Sequence, residues 1–188
     1  MRKNKIISIG TLPGWFQQEF QPEFEIITVA DSARDELLAN LSPQVVAIVA
    51  RGSVMIDAEV MDRGPGLKCV ARTGVGYDTV DIEAASERGL PVIFTPGAMS
   101  VAVAEHTLAL LFAAAKRLEG WRAALNRGDW EERYQEFSRD ISGGTLGIVG
   151  FGRIGRQVRR LVRPLELEVL VNDPYLDPDD FRDQEVEF

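Results

Sequence analysis

A chain of 188 residues, 45% hydrophobic and 27% charged, has enough apolar material for one full globular domain and part of a second. Its formal charge of −8 repels nucleic acid and anionic lipid at long range, so an anionic ligand has to be held by local donors. No apolar run reaches the roughly 20 residues of a membrane span, and a single cysteine, Cys69, excludes an internal disulfide framework and fits a reducing cytoplasm.

The start, MRKNKIISIG, is basic but too poor in apolar residues for a secretory signal core. Five short runs rich in Val and Ile then follow: KIISI (5–9), FEIITV (24–29), VVAIVA (45–50), KCVA (68–71) and PVIF (91–94). Between them, segments such as SARDELLANL and DIEAASERGL carry capping residues and helix formers. This alternation predicts βαβ units, hence one open α/β domain over residues 1–98 with a parallel sheet and helices on both faces. Cys69 alternates with Leu67 and Ala71, which predicts a small buried hydrophobe.

Near Ser100 the pattern changes. SVAVAEHTLALLFAAAKRL (100–118) predicts one long helix, apolar nearly all the way round and therefore buried on more than one side. NRGDWEERYQEFSRD reads as a polar and aromatic connection, and TLGIV (145–149) opens a new strand. QEVEF (184–188) reads as the beginning of a further strand.

The run LGIVGFGRIG (146–155) holds the spacing G-x-G-x-x-G, which is weak evidence in isolation and stronger in context. A strand precedes it, RIGRQVRRLVRPL (153–165) follows as a helix, and LEVLVND forms a second strand ending in Asp173, 18 residues after Gly155. That is the Rossmann arrangement. Gly150 makes the tight strand-to-helix turn, Gly152 lets the backbone approach a pyrophosphate, and Gly155 allows the helix to lie close to the strand. The helix N-terminus supplies free N–H groups for the phosphates. Asp173 accepts from the adenosine ribose hydroxyls and repels a 2′-phosphate; Pro174 rather than an arginine follows it, which favours NAD over NADP.

In an open parallel sheet, ligands bind beyond the C-terminal ends of the strands. Arg51 follows VVAIVA, Gly74-Val75-Gly76 follows KCVA, and Thr95-Pro96-Gly97 follows PVIF, so all three belong to one edge. An arginine fork and exposed N–H groups suit a carboxylate. Two readings stay open on these grounds: a carboxylate site, or glycines that only shape a turn beside a solvated Arg51.

The run ARTGVGYDTVDIEAASERGLPVIFTPGAMSVAVAEHTLALL (71–111), together with LGIVGFGRIG and VNDPYL, resembles the signature of the D-isomer-specific 2-hydroxyacid dehydrogenases, the phosphoglycerate and hydroxypyruvate (glyoxylate) reductase branches above all. The resemblance implies a flavodoxin-like substrate domain (1–98), then a crossover helix and the first part of a Rossmann NAD-binding domain (99–188). It implies that Val75 and Gly76 offer N–H groups to a substrate carboxylate, that Arg51 contacts the same end, and that Arg153 and Ile154 touch the pyrophosphate. It also implies a homodimer through the helix at 100–118.

The family's acid–base histidine, its partner glutamate and its carbonyl-polarising arginine would lie beyond Phe188. The expectation is therefore the N-terminal portion of an NAD-dependent dehydrogenase of a small 2-hydroxy or 2-keto acid, inactive alone. His106, the only histidine, sits in the 100–118 helix and reads as a packing residue. One His and one Cys cannot build a metal cluster, and the run Asp177, Asp179, Asp180, Asp183 lacks the spacing of a calcium loop. Two rivals stand beside the dehydrogenase: a non-catalytic NAD-sensing protein, and a degenerate interaction module acting through its apolar helix.

Overall fold

A computed structural model describes residues 3–177. The chain divides after Ala98 into two compact units. The first is built on five parallel strands: β1 (Asn4–Ile9), β2 (Phe24–Val29), β3 (Val45–Ala50), β4 (Cys69–Arg72) and β5 (Val92–Ile93). Their order, β2-β1-β3-β4-β5, is that of a flavodoxin-like sheet. The strands fall on the Val- and Ile-rich runs; only the last is cut, to two residues.

Strand parity decides which face each side chain serves. Ile7, Ile9, Ile48 and Val70 turn to one face, against Leu37 of α2 (Arg34–Asn40), Val60 of α3 (Ala58–Arg63) and Ala85 of α4 (Ile82–Glu87). Ile6 and Val49 turn to the other, against Phe16 and Phe20 of α1 (Gly14–Phe20). Each large aliphatic side chain buried contributes roughly 1.5–3 kcal/mol, so the first cluster, with the longer roll of buried residues, dominates stability. Asp57 and Asp81 start α3 and α4 by accepting from the N–H groups of Val60 (3.2 Å) and Ala84 (2.8 Å). The second face is thinly covered. Cys69, expected to be buried there, is only half-buried, and that burial pushes its thiol up.

The second unit departs from expectation at its first element. The helix expected over 100–118 ends earlier, as α5 (Ser100–Ala115). Arg117 adopts a left-handed backbone with φ 53°, and the Ala115 carbonyl accepts from the N–H of Arg139 at 2.8 Å. Ion pairs Lys116–Asp140 (2.5 Å) and Arg117–Glu136 hold that returning segment against the end of the helix. A further helix, α6 (Leu118–Arg127), starts where the expected one would finish, and Gly128 closes it in a left-handed turn at φ 72°. Burial of α5 also falls short of expectation: Ala104 is buried and Leu108 partly so, whereas Val101, Val103, His106 and Leu110 are exposed.

Beyond a 3-10 turn at Glu131–Tyr134, β6 (Thr145–Val149), α7 (Arg153–Val162) and β7 (Glu168–Asn172) form a βαβ unit. The strands are parallel and in unbroken register from Thr145 opposite Glu168 to Val149 opposite Asn172. Ile148, Phe151, Val158, Val162, Val169 and Val171 make its core, joined by Ala104. Among the described residues no strand lies on the other side of β6. The strand expected at 184–188 lies outside the described residues, as do Asp179, Asp180 and Asp183.

Candidate functional site

Because the first sheet is all parallel, the loops after β1, β3, β4 and β5 emerge on one edge. Arg51 follows Ala50 directly, and its guanidinium donates to the Thr11 carbonyl at 2.6 Å, tying the loop after β3 to the loop after β1. The side chain remains exposed, and among the described residues no carboxylate pairs with it. After β4 the chain turns through Gly74, Val75 and Gly76, all in a loop whose Val75 is 39% exposed. Gly74 is held by its carbonyl, which accepts from the Thr95 N–H at 3.1 Å. Among the described residues the N–H groups of Val75 and Gly76 meet no acceptor. Tyr77 and Phe94 close the flank edge to face, their ring centroids 5.2 Å apart.

One residue of this edge was not singled out from the sequence. Arg72 ends β4 and donates to three carbonyls: Nε to Gly76 at 3.0 Å, and Nη1 to Ala50 at 3.2 Å and Gly52 at 3.3 Å. The only hint in the sequence is a cation at the end of an otherwise apolar strand.

In the second unit, the glycine loop has the geometry its spacing calls for. Gly150 has φ 90°, open to glycine and strained for other residues, and its N–H bonds the Asn172 carbonyl at 2.8 Å. A Cβ on Gly155 would stand 2.3 Å from the Gly150 carbonyl oxygen, so α7 can lie this close to β6 only with glycine there. A Cβ on Gly152 would meet nothing within 4 Å, so protein packing does not require glycine there and the space stands open. No side chain caps α7, whose first turn holds Arg153 and Ile154, both exposed. Its N–H groups therefore face outward with a partial positive charge.

Asp173, one residue past β7, sits at this loop. One carboxylate oxygen accepts from the Phe151 N–H at 2.7 Å and the other from the Tyr175 N–H at 3.0 Å. The Tyr175 and then the Phe151 hydrogen bond hold its carboxyl below the ordinary value, with a smaller contribution from Arg156. The sequence thus led to residues that the fold gathers into two places. Arg51, Val75 and Gly76 share the sheet edge of the first unit. Gly150, Gly152, Arg153, Ile154, Gly155 and Asp173 share the βαβ loop of the second. Among the described residues no group of three or more His, Cys, Asp or Glu side chains is placed to hold a metal ion, and no helix is long and apolar enough to cross a membrane.

A parallel α/β sheet followed by a glycine-loop βαβ unit defines a Rossmann-like class of protein. Within that class, the family model of the D-isomer specific 2-hydroxyacid dehydrogenase catalytic domain matches residues 13–173. The chain belongs to this family of oxidoreductases. It is 36% identical over 152 residues to D-3-phosphoglycerate dehydrogenase of Archaeoglobus fulgidus, a match covering 81% of this chain and 28% of that one. To hydroxypyruvate reductase of Thermotoga maritima it is 32% identical over 148 residues, covering 79% and 48%. NAD-dependent formate dehydrogenase from Staphylococcus aureus, solved in complex with NAD, matches 98% of this chain and 60% of its own at 26% identity and a TM-score of 0.75. The chain therefore spans less than a third of the phosphoglycerate dehydrogenase and about half of the reductase.

Proposed function

We propose that these residues belong to an NAD-dependent oxidoreductase that moves a hydride between nicotinamide and a small 2-hydroxy or 2-keto acid, of the kind of 3-phosphoglycerate or glycerate and hydroxypyruvate. The observation that carries the reading is the fixed Asp173 carboxylate beside an uncapped helix start and an open Gly152. Those groups fit a dinucleotide: outward N–H groups for a pyrophosphate, and an ionised acid for ribose hydroxyls. When bound, the cofactor supplies the hydride.

The chain's own residues bind and orient. Gly150, Gly152 and Gly155 bring the backbone to the pyrophosphate, Arg153 and Ile154 flank it, and Asp173 selects NAD by repelling a 2′-phosphate. In the substrate domain, residues 1–98, Arg51 and the N–H groups of Val75 and Gly76 hold the substrate carboxylate. Residues 99–188 supply the crossover helix and the cofactor-binding unit, and the exposed apolar side of α5 forms a homodimer. His106, exposed on α5, lies on neither loop and takes no part in proton transfer.

The 188-residue chain accordingly binds NADH and does not oxidise it with hydroxypyruvate. A fluorescence titration with NADH and NADPH, followed by absorbance at the dihydronicotinamide band with the keto acid added, checks both halves. Saturable NADH binding with weaker NADPH binding supports the reading; no response to NADH sinks it. A second reading, a non-catalytic NAD-sensing protein, draws on that same position of His106. It requires that any longer form containing residues 1–188 also bind NADH without turnover.

A further inference from the structure

We infer that Arg72 is a positioning residue that sets the distance between Arg51 and the Val75–Gly76 N–H groups; this rests on the carboxylate site proposed above. Strand β4 is apolar until its last position, where Arg72 is half-buried at the sheet edge. A guanidinium has five N–H donors in a rigid planar fork. Here that fork is turned onto backbone: Nη1 bonds Ala50 and Gly52, the two carbonyls that flank Arg51 in the chain, and Nε bonds Gly76 at 3.0 Å. One rigid group therefore joins the loop that carries Arg51 to the turn that carries Val75 and Gly76. Among the described residues no carboxylate pairs with Arg72. Its charge is met only by carbonyl dipoles and remains a positive field at the edge.

The consequence is pre-organisation. A carboxylate that must be met by a side chain from one loop and N–H groups from another is held well only if the two loops keep a fixed separation. A hydrogen bond between a charged donor and a carbonyl is among the stronger ones, and three from one fork leave little play. Lysine, a point charge on a flexible stem, cannot serve three carbonyls in fixed directions.

The test uses the whole 188-residue chain, oxamate as the probe, and backbone amide NMR. Wild type, Arg72→Met and Arg72→Lys are compared first without ligand. The peptide groups whose carbonyls lose a bond belong to the amides of Arg51, Ser53 and Tyr77. These should shift together in Arg72→Met while strands β1 and β2 keep their spectra. Oxamate should then move the Val75 and Gly76 amides in wild type, with affinity at least about tenfold weaker in Arg72→Met and intermediate in Arg72→Lys. If the ligand-free amides of both loops stay put, Arg72 is no brace and the inference is wrong. It is equally wrong if they move but oxamate binds all three proteins alike. Failure of the underlying site is distinct: wild type itself shows no oxamate shift at Val75 and Gly76, and a positioning role then falls with it. Should Arg72→Met fail to fold, Arg72→Lys alone carries both comparisons.

Discussion

Asp173 concentrates the chemistry of the second unit in one side chain. Each of its oxygens accepts one backbone N–H, from Phe151 and from Tyr175. A carboxylate has about four lone-pair sites, which leaves room for ribose hydroxyls. Those hydrogen bonds favour the charged form and depress its pKa below the ordinary 3.8. The carboxylate therefore stabilises the loop above that value, and the contribution is lost as pH falls through the lower, folded pKa. NADH affinity should stay level between about pH 5 and 8 as far as this group is concerned, and fall only below about pH 4. Titration of NADH fluorescence across that range checks it, and a midpoint near neutrality would contradict the assignment. Asp173 was legible in the sequence because its distance from the glycine loop is set by the length of one helix and one strand. Arg72 was not. A cation at a strand end has the same sequence signature whether it points to water or to carbonyls from another loop.

At the scale of elements, the approach of α7 to β6 is fixed by Gly155. Replacing it with alanine places a Cβ 2.3 Å from a backbone carbonyl that cannot rotate away, so the helix must lift. Overpacking of this kind costs about 1–3 kcal/mol. Urea unfolding of Gly155→Ala should show that loss together with weakened NADH binding. Gly147→Ala, at a position in β6 where a Cβ meets nothing within 4 Å, is the control and should unfold like wild type. Equal stability of both variants would refute the close-approach account. Short runs rich in Val and Ile revealed the five strands of the first sheet, since burial on both faces of a parallel sheet selects these residues along each strand. The end of α5 was beyond such reading. No glycine or proline stands at Ala115, and the stop comes from the Arg139 N–H and from Asp140 and Glu136, which return from further along the chain. The end of α6 did carry a signal, Gly128, that the reading of a connecting segment passed over.

For the whole molecule, the salient surface is α5. A helix of 16 residues with Val101, Val103 and Leu110 exposed presents apolar area that a monomer in water leaves uncovered. The proposed homodimer covers it. Sedimentation equilibrium should show wild type as a dimer and Leu110→Lys as a monomer with unchanged far-ultraviolet circular dichroism. A wild type that stays monomeric at micromolar concentration would remove the dimer. The order β2-β1-β3-β4-β5 bears on how the chain is made. Each strand after the first docks on an edge built by residues that precede it: β2 and β3 flank β1, β4 joins β3, and β5 joins β4. A ribosome releases the chain N-terminus first, at about 5–20 residues per second. The sheet is thus offered to solution in the order in which its edges become usable. The first unit can close around Ile7, Ile48 and Val70 while the βαβ unit of the second is still being translated.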